Sequence, residues 1–172
     1  MGSMRKLTWG IMLAAICLVP LQAVVADENR YEPAERGQDV QTVYITGLDR
    51  HDGHTYLTVD TIQWYEGEEA NKIFREREQD PEMTEAPDGY YIVNDDVDLH
   101  TYELAPGAEV RMQYYNRTGD WSTADVSWNE RIDAAKFAGL FTPQDAELME
   151  GFPYHLTVKD GKIVKIVQQF VP

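Results

Sequence analysis

Two Asp-Gly pairs, each set between runs that alternate apolar and polar residues, constrain this chain more than any other feature. Asp52-Gly53 lies between Val43-Tyr44-Ile45-Thr46-Gly47-Leu48 and Thr55-Tyr56-Leu57-Thr58-Val59. Asp160-Gly161 lies between Tyr154-His155-Leu156-Thr157-Val158 and Ile163-Val164-Lys165-Ile166. Asp-Gly supplies the positive φ that a tight hairpin needs, and a period of two marks a strand buried on one face. A folded chain that opens and closes with hairpins is built on an antiparallel sheet. Parity suggests a three-residue loop for each turn, His51-Asp52-Gly53 and Lys159-Asp160-Gly161. The first loop pairs Gly47 with Leu57 and Ile45 with Val59. The second aligns Tyr154, Leu156, Val158, Val164 and Ile166 on one face.

Between the hairpins, residues 66–78 carry Ala70, Ile73, Phe74 and Arg77 at helical spacing. Acidic residues crowd the first turn of that segment, and Arg75 and Arg77 lie late, as the helix dipole favours. Pro81 and Pro87-Asp88-Gly89 stop it. Residues 90–93, 101–104 and 109–115 read as strands, with Pro106-Gly107 turning between the last two. Residues 116–126 read as loop. Ser127-Trp128-Asn129-Glu130 matches a capping box and predicts a helix to about Ala138. Thr142-Pro143-Gln144-Asp145 predicts a second short helix, closed by Gly151. About seven strands without a βαβ rhythm predict a mainly β (α+β) fold. We expect a small antiparallel, partly open β-barrel, OB-like, with two or three short helices.

The N-terminus reads as an address. Arg5 and Lys6 precede an apolar run from Leu7 to Val25, and the chain turns polar after Ala26. This predicts a secretory signal peptide over residues 1–26, with an uncleaved membrane anchor as the alternative. Residues 27–41 read as a flexible stalk, and residues 42–172 as one domain. Cleavage removes Cys17, the only cysteine, so the exported domain has no disulfide, thiol nucleophile or cysteine metal site. It also removes two of the 15 basic residues, leaving 13 against 30 acidic. That balance excludes a sequence-independent nucleic-acid binder and argues against docking on anionic lipid. No transmembrane span is expected once the signal is removed.

Three strings then look familiar together: Trp64-Tyr65-Glu66-Gly67-Glu68-Glu69-Ala70; Tyr90-Tyr91-Ile92-Val93-Asn94; and Tyr154-His155-Leu156-Thr157-Val158-Lys159-Asp160-Gly161-Lys162-Ile163, with a terminal Pro172. Over residues 43–172 the chain resembles a loosely defined family of small exported proteins and lipoproteins of Gram-positive bacteria. The resemblance implies export and this fold and carries no agreed activity. Members of that family often have Arg before the Asn, where this chain has Val93, so a site relying on that Arg is absent.

Few motifs carry chemistry. No Gly-x-Ser-x-Gly, His-Glu-x-x-His, P-loop or Gly-x-Gly-x-x-Gly is present. His51-Asp52-Gly53-His54 is explained as a turn. Asn94-Asp95-Asp96-Val97-Asp98 begins like a calcium loop, but Leu99 and Ala105 stand where an EF-hand needs Gly and Glu. Asn94, Asp96 and Asp98 are nevertheless the candidate ligands of a weak Ca2+ site, the one cofactor considered. Adjacent aromatics such as Tyr90-Tyr91 must send one ring to each face of a sheet, which exposes some of them for binding. Trp64, Tyr65, Tyr91 and Asn94 are the candidate binding residues. The expectation is a secreted, monomeric, non-catalytic domain that binds a small molecule, glycan or protein at the cell surface. The alternatives are a polymer hydrolase using an Asp/Glu pair, and a weak calcium-binding module.

Overall fold

The computed structural model describes residues 31–79 and 81–171. The expected signal peptide and Pro172 lie outside them. The chain runs β1 (Val40–His51), β2 (His54–Glu66), α1 (Gly67–Glu78), β3 (Tyr90–Val93), β4 (Leu99–Met112), β5 (Glu130–Ile132), α2 (Ala134–Gly139), α3 (Ala146–Gly151), β6 (Pro153–Lys159) and β7 (Lys162–Gln168).

Five of these strands close into a ring in which β1 pairs β2, β2 pairs β4, β4 pairs β7, β7 pairs β6, and β6 returns to β1. The fold is therefore mainly β, a small barrel with three short helices, as expected. It differs from the expectation in two linked ways: the barrel is closed, and β4 and β7 run parallel. A ring with an odd number of strands cannot alternate direction all the way round, so closing five strands forces one parallel pair. β3 pairs with the last four residues of β2, 63–66, and β5 with the last three of β4, 110–112.

Both hairpin turns have two residues, not three. His51 faces His54 and Lys159 faces Lys162. Asp52 and Gly53 have φ of 53° and 79°, and Asp160 and Gly161 have 51° and 74°. Two successive left-handed residues are the conformation whose twist matches the flanking strands. A register shift between Ile45 and Gly47 then restores Ile45 opposite Val59, while Gly47 faces Thr58 rather than Leu57. A second shift beside Thr157 and Val158 sets Leu156 opposite Ile166. Each bulge absorbs one residue, so parity counted from the core does not report the length of the turn.

The expected strands 101–104 and 109–115 are one strand, β4. Its register against β7 slips between Leu104 and Glu109, so Pro106-Gly107 lies in an irregularity of the strand rather than in a turn. The expected helix from Ser127 is largely absent. Asn129 has φ of 57°, and β5 pairs Arg131 with Arg111 on the edge of β4. Sheet pairing takes the residues that the capping-box pattern assigned to a helix. α2 starts only after Asp133, whose carboxylate accepts from the Lys136 N–H at 2.7 Å.

Inside the barrel, Val43, Ile45, Leu57, Val59, Tyr154, Leu156, Ile163 and Ile166 are wholly buried, with Phe137 of α2 and Met149 of α3 against them. The Tyr154 hydroxyl donates to the Met149 carbonyl at 2.8 Å, and burial pushes its pKa up strongly. Gln168 closes the end of β4. Its Oε1 accepts from the N–H groups of Gln113 and Tyr114, and its Nε2 donates to the Tyr114 carbonyl. A buried amide thereby satisfies backbone groups that the sheet leaves unpaired. α1 packs Ala70 and Phe74 in a separate cluster with Ala86, Tyr65 and Tyr91.

The described part of the expected stalk lies against the barrel. Glu35 pairs with Lys165 at 3.6 Å, Arg36 with Glu66 at 3.0 Å, and the Val158 N–H donates to the Asp39 carbonyl. Val40 and Gln41 already belong to β1.

Candidate aromatic binding pocket

Strand alternation decides which aromatic ring goes where. β2 sends Leu57 and Val59 into the barrel, so Asp60, Ile62 and Trp64 point to its outer face. All three are nonetheless buried, at 7, 6 and 8 % exposure. Trp64 is covered by its diagonal neighbour on β3, Tyr90, whose ring stacks on the indole at 4.7 Å and 13° from parallel. His155, on the outer side of β6, meets the indole edge-on at 6.3 Å. Tyr90 is aimed by the turn before it, where Asp88 and Gly89 take φ of 59° and 75°.

A second aromatic group stands opposite. Trp128 packs edge-to-face against Tyr31 at 5.3 Å and against Phe170 at 5.7 Å. Among the described residues no ring of the first stack contacts a ring of this group. The gap between them is a pocket of about 390 Å³, lined by Tyr31, Trp64, Tyr90, Trp128 and Phe170 together with Glu66, Asp88, Gly89 and Gln169. Concave, mainly aromatic hollows of this size suit small ligands.

The polar groups around the pocket are mostly engaged. Gln169 meets His155 Nε2 through Oε1 at 3.1 Å, and its Nε2 donates to the Phe170 carbonyl at 3.0 Å. His155 Nδ1 lies 3.0 Å from Thr42 Oγ1. Burial lowers the His155 pKa, which favours the neutral ring. Burial, then the Asp88 charge, raises the Tyr90 pKa. Glu66 is held by Arg36, and Asp88 is exposed. The charged lining is thus two carboxylates, with no basic residue among the described lining residues. The Trp64 Nε1 is buried without a hydrogen-bond partner among the described residues.

Of the four binding residues expected from the sequence, only Trp64 lines this pocket. Tyr65 and Tyr91 face each other across β2 and β3 and pack with α1. Tyr65 donates to Gln63 at 2.8 Å, and Tyr91 lies edge-on to Phe74 with its hydroxyl on Glu78. Asn94 donates its amide to Asp60 at 2.9 Å. Sequence reasoning did not assign Tyr31, Tyr90, Trp128 or Phe170 to a site. The available signal was the pair Trp64-Tyr65 beside Tyr90-Tyr91, whose split between faces is plain while the occupied face is not.

The proposed calcium residues Asn94, Asp96 and Asp98 line a different hollow of about 260 Å³. Asp60 organises that loop, accepting from Asn94 and from the Asp98 N–H at 2.8 Å. Asp98 lies 3.1 Å from His100, and Asp95 pairs with Arg77 at 2.5 Å. Among the described residues no group of three or more His, Cys, Asp or Glu is placed to hold a metal ion. His51 and His54 face each other across the turn and both lie beside Tyr56, on which His51 stacks at 4.2 Å, while His54 also meets Glu103 at 2.7 Å.

No family model, curated protein or solved structure matches this chain. Among the described residues no helix is long and apolar enough to cross a membrane.

Proposed function

We propose that this chain is an exported, non-catalytic binding domain whose ligand sits between the Trp64–Tyr90 stack and the Trp128–Phe170 pair. The observation that carries the reading is the pocket itself: aromatic faces from well-separated parts of the chain meet around one hollow. Two packed aromatic groups that leave an open space between them offer contact area to a partner at little entropic cost.

The hydrolase alternative finds one supporting feature, since Glu66 and Asp88 line the same pocket. Glu66, however, is tied to Arg36, and binding accounts for more of the lining. The calcium alternative gains nothing from the acidic loop, where Asp60 and His100 already engage Asn94 and Asp98.

A fragment screen followed by two-dimensional NMR tests the binding reading. Fragments should shift the indole N–H signals of Trp64 and Trp128 and leave Trp121, which donates to Asp145, unmoved. Hits confined to other surfaces, or no hits, would reject it.

A further inference from the structure

We infer that the ligand of this pocket is a small organic cation of the quaternary-ammonium kind; the inference rests on the binding reading and deepens it. Five of the lining residues are aromatic, and a ring quadrupole presents negative potential to a cation above a free face. The charged lining residues, Glu66 and Asp88, are both carboxylates. Arg36 reaches Glu66, but it lines the neighbouring hollow beyond Trp64, not this pocket. Asp88 is an exposed lining residue that makes no ion pair or hydrogen bond with a described side chain, and its charge acts on the neighbouring Tyr90 hydroxyl.

The chain as a whole carries a formal net charge of −15. Its field draws cations and repels anions before any contact is made. Between cations, desolvation selects. An ammonium with N–H groups must replace its water hydrogen bonds on entering an aromatic hollow; the Gln169 amide is engaged by His155, Phe170 and Tyr31 and Glu66 by Arg36, which leaves Asp88 as the one lining carboxylate without a described partner, fewer acceptors than the three N–H groups of a primary ammonium require. A cation without N–H groups loses no such bonds and gains the ring faces.

The test compares choline with 3,3-dimethyl-1-butanol, which has the same shape and no charge, by calorimetry and by indole N–H shifts. Choline should bind saturably with shifts at Trp64 and Trp128, and the neutral alcohol at least about tenfold more weakly. Asp88→Asn, a change at an exposed side chain, should weaken choline several-fold and leave the alcohol unchanged. Trp128→Leu should remove choline binding, with circular dichroism confirming the fold. Equal affinity for the two probes, or binding of the alcohol alone, would overturn the cation inference and leave the pocket reading standing. No saturable choline binding would also overturn it, and the fragment screen then decides separately whether the pocket binds anything.

Discussion

Asp60 and Asn94 are joined across the end of the sheet: the amide nitrogen of Asn94 donates to Asp60 Oδ2 at 2.9 Å, while Oδ1 takes the Asp98 N–H at 2.8 Å. One buried carboxylate thus holds both sides of the acidic loop that follows β3. Hydrogen bonds to a charged acceptor contribute about 1.5–3 kcal/mol each. Asp60→Ala should therefore destabilise the fold by about 2–3 kcal/mol in urea denaturation. Asp60→Asn turns an N–H toward a donor and should also destabilise. Wild-type stability in both variants would show that the loop does not depend on this carboxylate.

Glu130 joins the edge strand β5 to the end of β4. Tyr115 and Arg117 both donate to it at 2.5 Å, and Lys136 donates to the Tyr115 hydroxyl at 2.9 Å. Burial raises the Glu130 pKa, and the Tyr115 and Arg117 hydrogen bonds outweigh it, so the carboxyl titrates below its usual 4.5. The Arg117 and Glu130 side chains are 24 and 28 % exposed, so part of the pairing is screened by solvent. Glu130→Ala should still cost about 2 kcal/mol, because it strands a tyrosine and an arginine together. Arg117→Ala should cost less, and a double-mutant cycle should give a clearly non-zero coupling.

Gly161 has φ of 74°, and no atom beyond its own residue and its two chain neighbours comes within 4 Å of a Cβ built there. Substitution therefore tests backbone torsion alone. Gly161→Ala should cost about 1 kcal/mol and Gly161→Val about 1–2 kcal/mol, because left-handed backbone is harder still for a β-branched residue. Equal melting temperatures for wild type and Gly161→Val would contradict the turn.

His155 gives a pH dependence with a defined direction. Its folded pKa lies below the ordinary 6.5, chiefly through burial. Between those two values the unfolded chain binds more protons than the folded one, so stability falls as pH is lowered through that window. The slope is at most about 1.4 kcal/mol per pH unit. The depressed carboxyls of Glu103, Glu109 and Glu130 act in a lower window, below about pH 4.5, where their protonation removes their contribution. Urea titrations between pH 7.5 and 5 should show the slope in wild type and lose it in His155→Gln. An unchanged slope in the variant would assign it to other groups.

Much of the architecture was legible in local pattern. Both Asp-Gly hairpins, α1 with Ala70 and Phe74 on its buried face, and the strand at Tyr90–Val93 stand where alternation and helical spacing place them. What escaped depends on partners distant in the chain. Asn129 leaves the helical pattern because β4 has an edge to cover. The two bulges exist because inward residues of neighbouring strands must meet in the barrel, and nothing within one strand announces them. The pocket was harder still. Trp64 was picked out, but its companions Tyr31, Trp128 and Phe170 come from parts of the chain that only tertiary folding brings together. Tyr65 and Tyr91 were picked with it because alternation separates neighbouring rings without saying which face carries the hollow.

The parallel contact of β4 with β7 has a consequence for how the molecule is made. β7 is the last strand, and it fills the space between β4 and β6. Until it arrives, both neighbours present unpaired backbone edges, and the partially emerged polypeptide is a template for wrong pairings with other copies. Barrel closure must therefore follow synthesis of β7, and it waits on long-range pairing, which slows folding. Under the export proposed above, that delay would keep the polypeptide threadable during passage through a translocon and leave its finished shape for the far side.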